Sequence, residues 1–265
     1  MSFHRPIGCA LALVLALLVA IGFLRLVSRA LIYPGSPVPF PADLERRVPG
    51  ARLVHYQAPG GPPLQGALIL PGAPALVAVL FHGNGESAAQ SLPFAADLAD
   101  RGLGAFLVEY RGFGGLPGRP AEAHLYADGA AALDALRAAG IPPERTVLVG
   151  RSLGSGIAAE LALRHPCARL VLISPYTSMT DMGRLAVGPL APLVIPDRYD
   201  TLAKIARVPV PVVILHGARD KAIPVRMGRA LAAAVPGARY VEIPNGDHND
   251  LPGLAALLSR EIGGR

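Results

Sequence analysis

The chain has 265 residues, 52% of them hydrophobic and 17% charged, with a formal net charge of +6. That hydrophobicity excludes a disordered chain, which has few apolar residues and a high net charge. Two cysteines, Cys9 and Cys167, are too few for a disulfide framework or a zinc ribbon.

The first predicted element is the run Ile7 to Leu24, IGCALALVLALLVAIGFL, which holds no charge and no proline. At 1.5 Å per residue it reaches ~27–30 Å as a helix, enough to cross a thin or tilted hydrocarbon core. We read residues 1–30 as an uncleaved membrane anchor. A cleaved signal peptide competes, because Ser28-Arg29-Ala30 loosely fits a small-x-small site, but its apolar region would be unusually long. A buried core helix is the third reading; an all-apolar helix at the extreme N-terminus has nothing to bury it. Arg5 and the α-amino group precede the run and Arg25 and Arg29 follow it, so the positive-inside rule leaves the orientation open.

Residues 31–50, LIYPGSPVPFPADLERRVPG, carry five prolines and read as an extended lead-in to a domain over residues 51–265. Beyond them, apolar runs alternate with helical patterns. Strands are predicted at Arg52–Gln57, Leu64–Leu70, Leu76–Phe81, Ala105–Glu109, Thr146–Val149, Leu170–Ile173, Val210–Leu215 and Tyr240–Ile243. The central runs are apolar without alternation, as in strands covered on both faces of a parallel sheet. Helices are predicted at Ala88–Arg101, Ala121–Ala139, Leu153–His165, Val225–Val235 and Asp250–Ile262, most stopped by a following Gly or Pro. The expected fold is α/β, an eight-stranded, mostly parallel sheet flanked by helices, with a small cap and one N-terminal transmembrane helix.

Between the fifth strand and its helix stands Gly150-Arg151-Ser152-Leu153-Gly154. This G-x-S-x-G spacing suits a sharp turn that lifts a serine hydroxyl clear of the sheet, with small residues letting strand and helix approach. The helix start also aims free N–H groups at developing negative charge. A nucleophilic serine needs a base and the base needs an orienter. Of seven histidines, His248 sits in Pro244-Asn-Gly-Asp-His248-Asn, directly after the last strand, where a loop can swing an imidazole over the serine. His165 reads as a helix end, and His82 and His216 as loop packing. The order nucleophile, acid, base then selects Asp220, just past a buried strand, over Asp181 and Asp197; Asp247 and Asp250 flank the histidine but point elsewhere in a simple loop. The oxyanion donors are assigned to the N–H groups of Leu153 and Asn84, with Gly83 or Gly85 as alternatives to Asn84. Arg151 reads as a salt-bridge residue in preference to a head-group ligand. Tyr110-Arg111-Gly112-Phe113-Gly114 reads as a structural turn and Cys167 as inert packing.

The stretches LIYPG, FHGNGES, EYRGFGGLPGRPAE, GRSLGSG, ISPYTSM, DRYDTLAKI, PVVILHGARDKAIP and NGDHND occur in this order. In them the chain resembles the α/β-hydrolase superfamily from Leu31 to the C-terminus. The resemblance is to membrane-anchored serine hydrolases related to the monoacylglycerol-lipase and serine-aminopeptidase-like branch. It implies Ser152 as nucleophile, Asp220 as acid and His248 as base, with no metal and no organic cofactor. Ser155 departs from the more usual glycine of GRSLGGA, a change between two small residues.

The expected activity is cleavage of carboxylic or thio esters of acyl chains through an acyl-enzyme. The alternatives are a serine peptidase acting on short peptides and a non-catalytic membrane-bound binding protein. Pro175–Val208, with Met179, Met182, Leu185, Leu190 and Ile195, is expected to cover the site with apolar side chains able to receive an acyl group. Ser152 excludes a dehalogenase, which needs a carboxylate at the elbow. The expected partners are a small-molecule or lipid acyl substrate and the membrane. Nucleic acid is not expected, because three of the six net charges lie in residues 1–30 and the remainder is dispersed arginine.

Overall fold

The computed structural model describes residues 4–263. The leading-side charges named above, the α-amino group and the Arg5 side chain, lie outside what is described, as do the last two residues of the domain.

The apolar run folds as one helix, α1 (His4–Ile32). Its segment Leu11–Ile32 contains an 18-residue window with a mean hydropathy of 2.6 and no buried residue. The helix stops at Ile32 because Pro34 follows: proline disfavours helical backbone in the residue before it and has no N–H to donate. The next residues are extended, but they are packed and not a free linker. Ile32, Phe40 and Leu44 are each buried in the domain, and α2 (Leu44–Arg47) gives Leu44 to the core. Their apolar side chains are too sparse to show periodicity in sequence, yet each is buried: Ile32 in the core on one face of the sheet, Phe40 and Leu44 in the core on the other.

The sheet has eight strands: β1 (Ala51–Tyr56), β2 (Leu64–Ile69), β3 (Val77–Phe81), β4 (Gly104–Val108), β5 (Thr146–Arg151), β6 (Arg169–Ile173), β7 (Val212–Gly217) and β8 (Arg239–Ile243). Their order is β1-β2-β4-β3-β5-β6-β7-β8. β2 is antiparallel to β1 and β4, and every other neighbouring pair is parallel. The helices are α3 (Leu92–Asp100), α4 (Glu122–Ala138), α5 (Leu153–Arg164), α6 (Met179–Val187), α7 (Ala191–Val194), α8 (Leu202–Ile205), α9 (Val225–Ala233) and α10 (Leu254–Gly263).

Successive strand side chains point to opposite faces, so each central strand feeds two cores. Val77, Val79 and Phe81 pack with α4, α5 and α9, whereas Ala78 and Leu80 pack with α3 and α10. The same alternation runs through β5, β6 and β7, and explains why these strands show no polar face. The eight predicted strands are all present, each with its ends within two residues of prediction.

The cap region differs in detail. Between β6 and β7 the chain forms α6, a short 3-10 turn at Gly188–Leu190, α7 and α8. No helix was legible there, because each element spans one to three turns and α6 has no fully buried residue. Ser178 begins α6 by accepting the Asp181 N–H at 2.9 Å.

The turn after β4 carries a buried ion pair. Arg111 donates to the Asp128 carboxylate of α4 at 2.8 and 2.5 Å, with side chains 9% and 0% exposed. Removing one partner leaves a buried charge uncompensated, which costs about 3–5 kcal/mol. Asp128→Ala should therefore lose about that much unfolding free energy by denaturant titration, and Arg111→Leu with Asp128→Leu should regain most of it. A loss under about 1 kcal/mol for the single variant would mean that the pair behaves as a surface bridge.

Candidate active site

Every loop that matters leaves the carboxyl end of a parallel strand, the edge at which such sheets bind ligands. β5 turns into α5 at Ser152, whose backbone has φ 51° and ψ −118°. That is a left-handed φ that a non-glycine residue adopts only at a cost. The turn closes because its neighbours lack side chains: a Cβ at Gly154 would run into the Phe81 carbonyl oxygen, and one at Gly150 into the backbone of Gly154. Ser152 donates its N–H to Ile173 O at 3.0 Å, and Ser155, at the position that departs from the family pattern, donates its Oγ–H to Ser152 O at 2.6 Å.

The loop after β8 brings His248 Nε2 to 3.1 Å from Ser152 Oγ. Its other ring nitrogen, Nδ1, lies 2.8 Å from Asp220 Oδ2 in the loop after β7. A carboxylate only accepts, so Nδ1 carries the proton and Nε2 offers its lone pair to the serine hydroxyl. Asp220 Oδ1 accepts the N–H groups of Ala222 and Ile223 at 2.9 and 2.7 Å. Burial acts to raise its carboxyl pKa, but the hydrogen bonds from His216, His248 and the Ile223 N–H outweigh it and hold the group well below the usual carboxylate range.

His216, expected to pack a loop, does so directly behind the acid. Its ring is fully buried, donates from Nε2 to Ile223 O at 3.0 Å and lies 3.4 Å from Asp220 Oδ2. It stands behind Asp220 and fixes the loop that presents the carboxylate. Its four-residue spacing from Asp220 was the available signal.

The turn after β3 holds Gly83 and Asn84 against the serine: a Cβ on Gly83 would meet Ser152 Cβ at 3.5 Å. Gly83 donates its N–H to Glu86 Oε1 at 2.8 Å, so this amide is occupied. Among the described residues, the N–H groups of Asn84 and Leu153 meet no acceptor. Arg151 borders the cavity and is held there in a bridge with Glu86 at 2.9 Å, and it reaches His248 O at 3.3 Å. His82 is buried beneath the turn, with Nδ1 2.7 Å from Gly83 O and Nε2 2.9 Å from Glu109 Oε1, away from the serine.

The remaining candidates lie elsewhere. Asp181 pairs with Thr177 and Arg184, Asp197 with Arg29, and Asp247 accepts the N–H groups of Asn249 and Asp250. His165 ends α5, and burial pushes the Cys167 thiol up to about 11.

Ser152 opens into a cavity of about 620 Å³. Its walls are mainly apolar: Met179, Met182, Val194 and Ile195 of the cap line it, as does Ile223. Ser28, Leu31 and Ile32 of α1 line it too, a contribution the sequence reading did not foresee.

Comparison with known proteins agrees with this architecture. Residues 72–199 match the family described as serine aminopeptidase, S33. An uncharacterised protein of Mycobacterium tuberculosis is 34% identical over 258 residues, which is 94% of this chain and 91% of that protein. Alpha/beta hydrolase domain-containing protein 17C of Xenopus tropicalis is 36% identical over 188 residues, 69% of this chain, and the match spans 59% of its own length. In fold, an esterase of Pyrococcus furiosus superposes with a TM-score of 0.67 at 15% identity, over 87% of this chain and 97% of its own.

A carboxyl held below its ordinary value stabilises the folded state above that ordinary value, ~3.9 for Asp, and the gain is lost as pH falls below it. The stability difference between wild type and Asp220→Asn should therefore be full at neutral pH and shrink steadily below about pH 4. Thermal unfolding across pH 3–7 measures it, and a difference independent of pH would contradict the assigned network.

Proposed function

The chain belongs to the α/β-hydrolase superfamily, and we propose that it is a membrane-anchored serine hydrolase that cleaves carboxylic or thio esters of acyl chains through an acyl-enzyme. The observation that carries this reading is the continuous bonding from Ser152 Oγ through His248 to Asp220, at 3.1 and 2.8 Å, at the base of an apolar cavity.

In the proposed mechanism, Ser152 Oγ attacks the acyl carbonyl carbon while His248 Nε2 takes the hydroxyl proton. The carbonyl oxygen becomes an oxyanion facing the free N–H groups of Leu153 and Asn84, where fixed donors are worth more than water. Collapse of the tetrahedral intermediate breaks the bond to the leaving alkoxide or thiolate, which receives the proton from His248. A water then repeats the sequence on the acyl-serine and releases the acid. Asp220 keeps the imidazole in the productive tautomer and stabilises its transient charge; it stays ionised throughout.

The match to the serine aminopeptidase family favours a second reading, peptide hydrolysis. An aminopeptidase must hold the substrate's α-ammonium group, and that calls for a free carboxylate at the site. Glu86 is the carboxylate on the cavity wall, and it is taken up by Arg151 and the Gly83 N–H. The apolar walls also suit an acyl chain better than a peptide. Anchoring by α1 rests on its length and on its exposed apolar side chains from Leu11 to Leu26.

A fluorophosphonate probe should label the detergent-solubilised wild type and leave Ser152→Ala unlabelled. A folded wild type that stays unlabelled would sink the enzyme reading. Asp220→Asn should lower kcat by about 10⁴-fold, the scale seen when a triad histidine sits in the wrong tautomer. Across a panel of esters, thioesters and peptide amides with one acyl group, esters and thioesters should be turned over fastest; faster amide cleavage would reverse the assignment.

A further inference from the structure

We infer that the last two turns of α1 form a wall of the acyl site, so that Ser28, Leu31 and Ile32 help to set acyl-chain specificity and the chain enters from the bilayer alongside the anchor. This deepens the reading above and rests on Ser152 being acylated.

Ser28, Leu31 and Ile32 follow the i, i+3, i+4 spacing that places side chains on one helix face. All three border the cavity that contains Ser152 and His248, which Met179, Met182 and Ile195 of the cap also line. Ile32 is buried at 7% exposure, whereas Leu31, 72% exposed, stands at the mouth. The same turns close the span Leu11–Ile32, so the mouth lies where the helix leaves the apolar layer.

A wall must be held in place, and four bonds hold this one. Arg25 donates from Nε to Leu193 O at 2.9 Å, and Arg29 donates from Nε to Asp197 Oδ2 at 2.9 Å. The Tyr33 and Tyr199 hydroxyls are 2.9 Å apart, and Asn84 Nδ2 reaches Leu31 O at 3.5 Å. Asp197 is itself fixed, because its other oxygen accepts the Glu122 N–H at 3.0 Å. Tyr199 sits at φ 41°, a backbone that a bulky residue keeps only where its surroundings enforce it. Three of the bonds reach the segment between β6 and β7, the third at the buried Tyr199, and one reaches the turn that carries Asn84. The two arginines, which read in sequence as topological signals, thus act here as positioning residues.

The ligand class follows from the wall. In the proposed arrangement an acyl group of a few carbons sits beside Ser152, whereas a long chain extends along Ser28, Leu31 and Ile32. The substrate is therefore a long-chain acyl ester or thioester whose chain lies in the lipid layer.

The test uses the full-length protein in lipid nanodiscs with p-nitrophenyl butyrate and p-nitrophenyl palmitate. Ser28→Trp, which fills the wall, should lower the palmitate-to-butyrate ratio of kcat/KM by about tenfold or more, the scale of one or two methylenes excluded from a pocket. The ratio, not the absolute butyrate rate, is the readout, and fluorophosphonate labelling reports whether Ser152 is still reactive. Arg29→Leu, which releases the helix without filling the cavity, should raise KM for palmitate more than KM for butyrate. Leu26→Trp, on an exposed part of the helix away from the cavity, should leave the ratio as it is. Unchanged ratios in both Ser28→Trp and Arg29→Leu would overturn the wall while butyrate turnover and labelling persist. Loss of labelling and of both activities in the wild type would instead defeat the underlying hydrolase reading.

Discussion

The site depends on one backbone constraint, the turn at Ser152. A non-glycine residue at φ 51° carries a penalty of about 1–3 kcal/mol, which the surroundings must offset. They do so through β5, whose position between β3 and β6 fixes where the strand ends, and through α5, which starts immediately and packs back on β3. Gly150 and Gly154 are what allow that packing, since any side chain at either position would occupy the space of a neighbouring backbone. Once the turn is closed, three consequences come together. The hydroxyl projects above the sheet edge, the first N–H of α5 is left without an acceptor, and the loops after β3, β7 and β8 are the ones near enough to meet it.

Around this turn the ionised groups are already engaged. Glu86 is held by Arg151 and the Gly83 N–H. Glu109 faces His82 and accepts the N–H groups of Ala88 and Tyr110. Burial pushes the hydroxyls of Tyr110 and Tyr176 well above their ordinary value, so both act as neutral donors, to His82 O and Leu153 O at 3.1 Å. Facing the cavity are the serine with its base and, among the described residues, the unbonded N–H groups of Asn84 and Leu153. A fixed shell of this kind needs no reorganisation when charge develops on a substrate oxygen, which is where electrostatic catalysis gains most.

The sheet was legible because buried parallel strands are short, continuous apolar runs bounded by Gly and Pro, and no other element competes for that pattern at this length. Ser152, Asp220 and His248 were legible as candidates because a nucleophile turn has a local signature and its partners follow in a set order after strands. Three features were not. The cap helices are too short to carry a period. The segment after α1 looks like a linker by its prolines, yet Phe40 and Leu44 anchor it, and single apolar residues give no periodic signal. The end of α1 was read by hydropathy, a property of the whole run, whereas its use at the site depends on which face meets the domain. Arg25 and Arg29 were visible as charges, but their acceptors, Leu193 O and Asp197, lie 168 residues further along the chain.

On the proposed reading of α1 as a membrane anchor, fixing the hydrolase domain to the helix, in place of a simple tether, has an energetic reason. Each methylene moved from an apolar phase into water costs about 0.8 kcal/mol. A long acyl chain crossing even a short aqueous gap would therefore add many kcal/mol to the barrier, and each 1.36 kcal/mol costs tenfold in rate. Passing from lipid directly into an apolar cavity avoids most of that cost, because both environments are equally poor in water. A flexible tether would raise the local concentration of lipid but leave the cavity mouth turned at random, with an aqueous gap on most encounters. Docking the helix through Arg25, Arg29 and Tyr33 fixes the mouth beside the point where the span ends. For a substrate that resides in the bilayer, the proposed anchor would serve less to retain the protein at the membrane than to align a continuous apolar path to Ser152.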